Sequence, residues 1–225
     1  MATDHGSTRS ATEQAATGRE AAGHGADGAG RVLHLDAPFD ETTARSLRCG
    51  DEIWINGTIW GVRDATLIRF FDEGERVPVD LTGAVFLHTA PSVRRGESGG
   101  YVPVSVGTTT SMRMDRFTRG CVEDLGVSAI VGKGGLSADS LEHLRRHGGV
   151  YLSITGGAAS YETLQVTAIE EVYWEDLMPE CLWKFRVKDF GPLFVTMDAH
   201  GVSEYQRTAE RARANREAAY RMLGL

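Results

Sequence analysis

The feature that most constrains this chain is a succession of short β-rich runs. Glycine, proline or small polar residues close them off, and few stretches of helical period lie between them. The runs fall at 52–55, 58–60, 84–88, 102–106, 128–131, 150–154, 166–174, 183–187 and 194–197. Asn56-Gly57 separates the first two. Asn-Gly between β-rich runs is the strongest short hairpin signal, so a tight turn is expected there. Three stretches read as helix. One starts after Thr109 or Thr110, runs to about Leu125 and stops at Gly126. The second covers 137–147, with Ser137 as its cap, Leu141 and Leu144 on one face, and Gly148-Gly149 as its end. The third covers 203–223. Ser203 and Gln206 form a capping box, charges are mixed along it, and Tyr205, Ala209, Ala212, Ala219 and Met222 form a stripe expected to pack on the body. The pattern predicts a strand-rich α/β domain without internal repeats.

At 225 residues the chain suits one domain with a substantial core. Residues 1–30 are rich in Ala, Gly, Ser, Thr and His and bury too little apolar surface to offset their ordering entropy, so a disordered tail is expected. His5 and His24 lie in it and read as solvated residues. The body then spans 31–201 and a C-terminal helix spans 202–225. A formal net charge of -7 and the lack of a basic block speak against a nucleic-acid partner. No apolar stretch has the length of a membrane span and no secretory leader is visible, so the expected compartment is the cytoplasm. Cys49, Cys121 and Cys181 are far apart and form no CxxC pair, which reads as small buried residues and no metal site. His34, His88, His143, His147 and His200 are scattered, and structural or surface roles are expected for each.

Three segments look unlike ordinary core. In the first, Arg63-Asp64 follows Gly61-Val62. Taken alone, such a dipeptide is usually a solvated or local ion pair. In the second, Gly107-Thr108-Thr109-Thr110-Ser111 leads into Met112-Arg113-Met114-Asp115. A helix opening among hydroxyls presents free N–H groups to an anion. Arg113, four residues after Thr109, can grip a carboxylate bidentately. A plain helix cap with a surface arginine is the equal alternative. In the third, Lys133 stands between Gly132 and Gly134. Lys133, Lys184 and Lys188 are the only lysines among 24 basic residues, so a compact point charge is wanted there. A turn lysine is the ordinary alternative. The segment is not a phosphate-binding P-loop, because Gly134 follows the lysine where Ser or Thr is required.

These residues, in this order and spacing, resemble the C-terminal domain of class I fumarases, which in L(+)-tartrate dehydratase and two-subunit fumarases is a separate β subunit. The resemblance runs from about Arg45 to His200. It includes 47–51, 61–65, 107–115, 130–135, Gly156-Gly157-Ala158-Ala159, 187–190 and 194–201. It implies a swivelling β/β/α domain and a hydro-lyase that adds or removes water on a dicarboxylic 2-hydroxy acid. It implies that Arg63, Arg113 and Lys133 bind the substrate carboxylates, and that Thr109 contacts the substrate near its hydroxyl and serves proton transfer. It further implies a [4Fe-4S] cluster held by three cysteines of a partner α subunit, whose open iron binds substrate, in an α/β hetero-oligomer.

The chain departs from the family in three places. Leu67 stands where His is frequent, Thr108 where Pro is usual, and the 91–101 loop carries Arg94-Arg95 and several glycines. These changes bear on the substrate more than on the reaction class. The competing reading is a non-catalytic dicarboxylate-binding or regulatory subunit that kept the fold. No nucleophile elbow or HExxH motif points to an enzyme of another class.

Overall fold

The computed structural model describes residues 30–224 apart from Ser98 and Ala158. The expected tail, with His5 and His24, lies outside the described residues. The strands are β1 (Val32–Ala37), β2 (Glu52–Val62), β3 (Val85–His88), β4 (Ser92–Arg95), β5 (Tyr101–Ser105), β6 (Ala129–Gly132), β7 (Val150–Ser153), β8 (Val166–Tyr173) and β9 (Leu182–Met197). The α-helices are α1 (Glu41–Ser46), α2 (Asp64–Phe71), α3 (Thr118–Glu123), α4 (Ala138–His147), α5 (Ala159–Glu162) and α6 (Glu204–Met222). The fold is the strand-rich, mixed α/β domain that the spacing and the resemblance led us to expect.

The main sheet runs β1-β2-β3-β6-β7-β9-β8, with a further pairing of β2 and β9. Strands β2, β3, β6 and β7 are mutually parallel, whereas β9 is antiparallel to both β7 and β2. The pairings β2–β3–β6–β7–β9–β2 therefore close into a ring. Parallel neighbours need crossover connections. Here α2 joins β2 to β3, α3 precedes β6, and α4 joins β6 to β7.

Two cores follow from the two-residue alternation of the strands. Val85 and Leu87, Ala129 and Val131, and Val150 and Leu152 face inside the ring, where they meet Ile53, Ile59, Phe185 and Val195. The intervening Phe86, Ile130 and Tyr151 face outward beneath the helices, against Leu67 and Phe70 of α2, Cys121 of α3, and Leu141 and Leu144 of α4. Strands buried on both faces read as continuous apolar runs, which is why the sequence marked them clearly. Each fully buried Leu or Phe contributes about 1.5–3 kcal/mol.

Three expectations are corrected. Asn56-Gly57 makes no hairpin, because β2 runs straight through it. The pairing of β2 with β9 shifts register on either side of Ile55, and Gly57 adopts φ +97°. A glycine-bearing bulge thus uses the same left-handed backbone that a tight turn would. The Asn56 side chain accepts a hydrogen bond from Asp189 N at 2.8 Å, which fastens the bulge to β9. The stretch expected as one helix up to Leu125 is instead a 3-10 helix, Ser111–Phe117, followed by the short α3. Finally, α6 packs only the first residue of its stripe on the body: the Tyr205 ring lies 6.4 Å from that of Tyr151 and its hydroxyl 2.5 Å from Ser153 Oγ. The helix buries no residue, and Met222 is 83% exposed. Alanines and arginines offer too little apolar area for docking. The helix stands on its Ser203 cap and on pairs such as Arg207–Glu204 at 2.7 Å.

The residues expected to be small and buried do bury at Cys121 and Cys181, whereas Cys49 is half-exposed. Ser137 caps α4 and Gly148 closes it in the left-handed conformation, as its sequence signals indicate. No helix among the described residues is long and apolar enough to cross a membrane.

A Cβ added at Gly57 would lie 2.3 Å from the Ala37 carbonyl oxygen, in a backbone conformation that already disfavours side chains. Gly57→Ala should therefore cost about 2–3 kcal/mol, seen as a lower urea midpoint at unchanged slope. An unchanged midpoint would contradict the bulge.

Candidate active site

In open parallel sheets, ligands bind beyond the carboxyl ends of the strands. Four such ends meet here. Arg63 directly follows β2, the 107–111 loop crosses the end of β3, Lys133 directly follows β6, and Ser153 ends β7.

Backbone pairing fixes the loop across two of these ends. Thr109 N donates to His88 O at 2.9 Å, at the end of β3. Ser111 N donates to Lys133 O at 2.9 Å, at the end of β6. Thr108 and Thr110 extend this ladder, bridging to Thr89 and Lys133 respectively. Thr108 Oγ1 also donates to His88 O at 3.1 Å, a bond that proline cannot make, so this departure tightens the loop.

Beneath the loop, Ser111 is fully buried between two side chains. Tyr151 OH donates to Ser111 Oγ at 2.8 Å, and His88 Nδ1 lies 2.9 Å from the same oxygen. With Tyr151 donating, the serine proton is free to go to a neutral imidazole. Burial holds His88 down at about 3, so the ring is uncharged at neutral pH. Gly132 makes this packing possible, since a Cβ there would sit 1.9 Å from Ser111 Oγ.

The structure brings two of the expected cations to one carboxylate. Asp64 Oδ2 lies 3.4 Å from Arg63 Nε and 3.3 Å from Arg113 Nη2. Glu180 Oε1 lies 3.5 Å from Arg63 Nε, and Glu180 Oε2 accepts from Ala65 N at 2.8 Å. Lys133 reaches the same end of the sheet through its backbone contacts to Thr110 and Ser111. Among the described residues, no carboxylate pairs with Lys133 and the Thr109 hydroxyl has no protein partner. The sequence argument for Arg113 relied on a regular helix shared with Thr109. Thr109 in fact precedes the 3-10 helix, so Asp64 marks where Arg113 points, not helical spacing. Leu67 is fully buried under the helices and does not face the site.

Several contributors escaped the sequence reading. Asp64 was visible only as half of a local pair, and Glu180 is far along the chain. His88, Ser111 and Tyr151 carried no spacing signal. Glu162, at the end of α5, is buried, and burial pushes its carboxyl up to about 7. His143 and His147, four residues apart on α4, share Glu123 Oε1 of α3 at 2.8 and 3.1 Å, a helix-to-helix pairing outside the strand-end cluster. A concavity of about 490 Å³ lined by Glu41, Gly83, Ser128 and His147 lies at the opposite, amino-terminal ends of β3 and β6, where no catalytic constellation gathers.

The chain's own residues do not suit an iron–sulfur cluster. Its cysteines stand apart, and burial pushes the Cys49 thiol up to about 12 and that of Cys181 to about 11, the reverse of what thiolate ligands require. Among the described residues, no group of three or more His, Cys, Asp or Glu is arranged to hold a metal.

With this geometry in place, the comparison with known proteins gives the family. The model of the fumarase C-terminus matches residues 6–208. The chain belongs to the fumarase C-terminus family. The L(+)-tartrate dehydratase subunit beta of Escherichia coli (strain K12) is 39% identical over 168 residues, covering 74% of this chain and 83% of that one. A putative L(+)-tartrate dehydratase subunit beta from Methanocaldococcus jannaschii is 35% identical over 180 residues, covering 76% and 92%. A putative fumarate hydratase class I from Geobacillus stearothermophilus is 40% identical over 177 residues, which is 78% of this chain but 34% of that protein. The fumarase C-terminus chain described here thus corresponds to about a third of that hydratase and to most of each β subunit.

The buried network has a pH signature. The pKa of His88 is depressed from 6.5 to about 3 on folding, so its neutral form adds stability above pH 6.5 that is lost as pH falls towards 3. His88→Asn should flatten the dependence of the urea midpoint on pH in that window. Parallel profiles for the two proteins would contradict a buried neutral imidazole.

Proposed function

We propose that this chain is the β subunit of a hydro-lyase that adds or removes water on a dicarboxylic 2-hydroxy acid. In this reading, Arg63, Arg113 and Lys133 bind the substrate carboxylates. The observation that carries the reading is the convergence of Arg63 and Arg113 on one carboxylate oxygen, at strand ends where the Lys133 backbone is hydrogen-bonded to the intervening loop. The names of the relatives support it: one is an L(+)-tartrate dehydratase subunit beta, and the other two are named as putative members of the same pair, tartrate dehydratase subunit beta and fumarate hydratase class I.

The chemistry fits these groups. Removing water from a 2-hydroxy diacid takes a proton from the carbon beside one carboxylate and a hydroxyl from the next carbon. Negative charge builds on that carboxylate as the C–H bond breaks. Fixed cations bind the ground-state charge and stabilise the added charge more strongly, which is how they raise the rate. Arg113 suits a bidentate carboxylate contact, and Lys133 supplies a point charge on a glycine-flanked turn that lets the ligand approach the backbone. Thr109, whose hydroxyl is free, meets the substrate near its own hydroxyl and serves proton transfer. The buried Ser111 network holds the Thr109 backbone in register with Lys133, so neither residue needs to reorganise during reaction.

The partner in this proposal is an α subunit carrying the [4Fe-4S] cluster, with the shared site in an α/β hetero-oligomer. Met112, Tyr161 and Leu164, on segments that follow these strand ends, are 49%, 67% and 78% exposed and offer apolar surface to a protein neighbour.

Co-expression with a cluster-bearing partner and assay of the purified pair on fumarate, malate, mesaconate and tartrate tests this function. One of these diacids should turn over, and Arg113→Ala and Lys133→Ala should each lower kcat/KM by about 100-fold or more with the fold intact. Full activity in either variant would remove that residue from the site. Activity of this chain without a partner would contradict the subunit assignment.

A further inference from the structure

The two arginines at these strand ends already face carboxylates of the chain itself. Arg63 stands between Asp64 and Glu180, and Arg113 stands on Asp64. Formally, these two arginines are offset by two carboxylates belonging to the chain itself, whereas Lys133 has no carboxylate partner among the described residues.

The contacts are also incomplete. Arg63 Nε and Asp64 Oδ2 are both buried from solvent, and neither makes a hydrogen bond, although they face each other at 3.4 Å. A buried polar group without a partner is costly, and a charged one more so. Glu180 is held elsewhere, because its second oxygen accepts from Ala65 N and its backbone carbonyl accepts from Thr66 Oγ1. Asp64 has no comparable bond from the backbone. Arg113 is 54% exposed and held by Asp64 alone, so it is free to change partners at little cost.

We propose that Asp64 is a specificity-determining residue, an internal counter-anion that occupies Arg63 and Arg113 in the resting site and yields them only to a dicarboxylate. The inference rests on the dicarboxylate reading above and adds to it the means of discrimination. A monoanion gains one carboxylate contact and must draw an arginine away from Asp64 to make it, so its net gain is small. A diacid carries a second carboxylate to Lys133, which has no internal anion to displace, and that contact offsets the exchange at the arginines. Selectivity for two carboxylates over one then arises from competition as well as from attraction.

The test titrates the full-length chain, assembled with the proposed α partner, with succinate and with acetate, two unreactive probes, following the side-chain N–H signals of Arg63 and Arg113 by NMR. In wild type, succinate should shift both arginines and acetate neither at equal concentration. Asp64→Asn removes the competing charge while keeping the shape. It should tighten acetate binding by at least tenfold and succinate binding by much less, so that the ratio of their affinities falls. Asp64→Ser makes the same prediction and serves if the asparagine variant fails to fold. If succinate binds wild type at both arginines and neither variant changes that ratio, the role given to Asp64 is wrong and the dicarboxylate reading stands. If succinate leaves both arginines unshifted in all three proteins, the dicarboxylate reading fails and this inference falls with it.

Discussion

Two backbone hydrogen bonds, Thr109 N to His88 O and Ser111 N to Lys133 O, tie a hydroxyl-rich loop across the ends of two parallel strands. Without them, Thr109, Arg113 and Lys133 would hang on separate loops, each free to wander by more than the tolerance of a positioned site. With them, one turn of backbone ties Thr109, Arg113 and Lys133 to a common frame. The ring of strands supplies the rigid base. Tyr151, Ser111 and the neutral His88 fill the space beneath, where any unpaired polar group would be penalised. Gly132 is part of the same constraint, since no other residue would leave room for Ser111.

The second organising effect is charge balance. Sequence suggests an arginine–arginine–lysine cup of simple positive charge. The structure brings Arg63 and Arg113 to Asp64, with Glu180 beside Arg63, so the chain's own carboxylates offset both arginines. An unbalanced cluster of three partly buried cations would repel itself and destabilise the fold, and would attract any passing anion. Internal carboxylates remove both problems and keep the arginines oriented. The lysine left unpaired is also the cation carried on the most glycine-rich turn, where a ligand can come closest.

How far the sequence foretold this depends on the kind of signal. The core strands β3, β6 and β7 were legible because burial on both faces leaves nothing but apolar residues. Helix α4 was legible because Ser137 and Gly148 mark its ends chemically. Asn56-Gly57 misled because Asn-Gly reports a positive φ, and a bulge inside a long strand meets that requirement as well as a turn does. The 183–187 and 194–197 runs looked separate because Lys188, Asp189 and Pro192 interrupt the apolar pattern, yet pairing with β2, from Trp183 to Phe194, carries β9 through. Short helices such as α1 and α2 span too few residues to show a period. At the site, Lys133 stood out by its rarity and its glycines. Arg113 was named for helical spacing that the 3-10 segment does not have. Asp64 reaches it by tertiary geometry, which no local pattern records. The C-terminal helix kept its predicted limits and cap but docks through Tyr205 and not along its whole stripe, because capping is local and docking depends on what lies opposite.

The central claim is that one dicarboxylate lies across the ends of β2, β3 and β6, with its two carboxylates shared between the arginines and Lys133. Crystals of the chain together with the proposed cluster-bearing partner, soaked with a slowly reacting diacid, test it most directly. The account predicts one carboxylate within hydrogen-bonding distance of Arg113 or Arg63 and the other within reach of Lys133 Nζ, with Thr109 Oγ1 beside the substrate hydroxyl. A diacid seated elsewhere, or Lys133 turned away from a diacid held by the arginines alone, would contradict it.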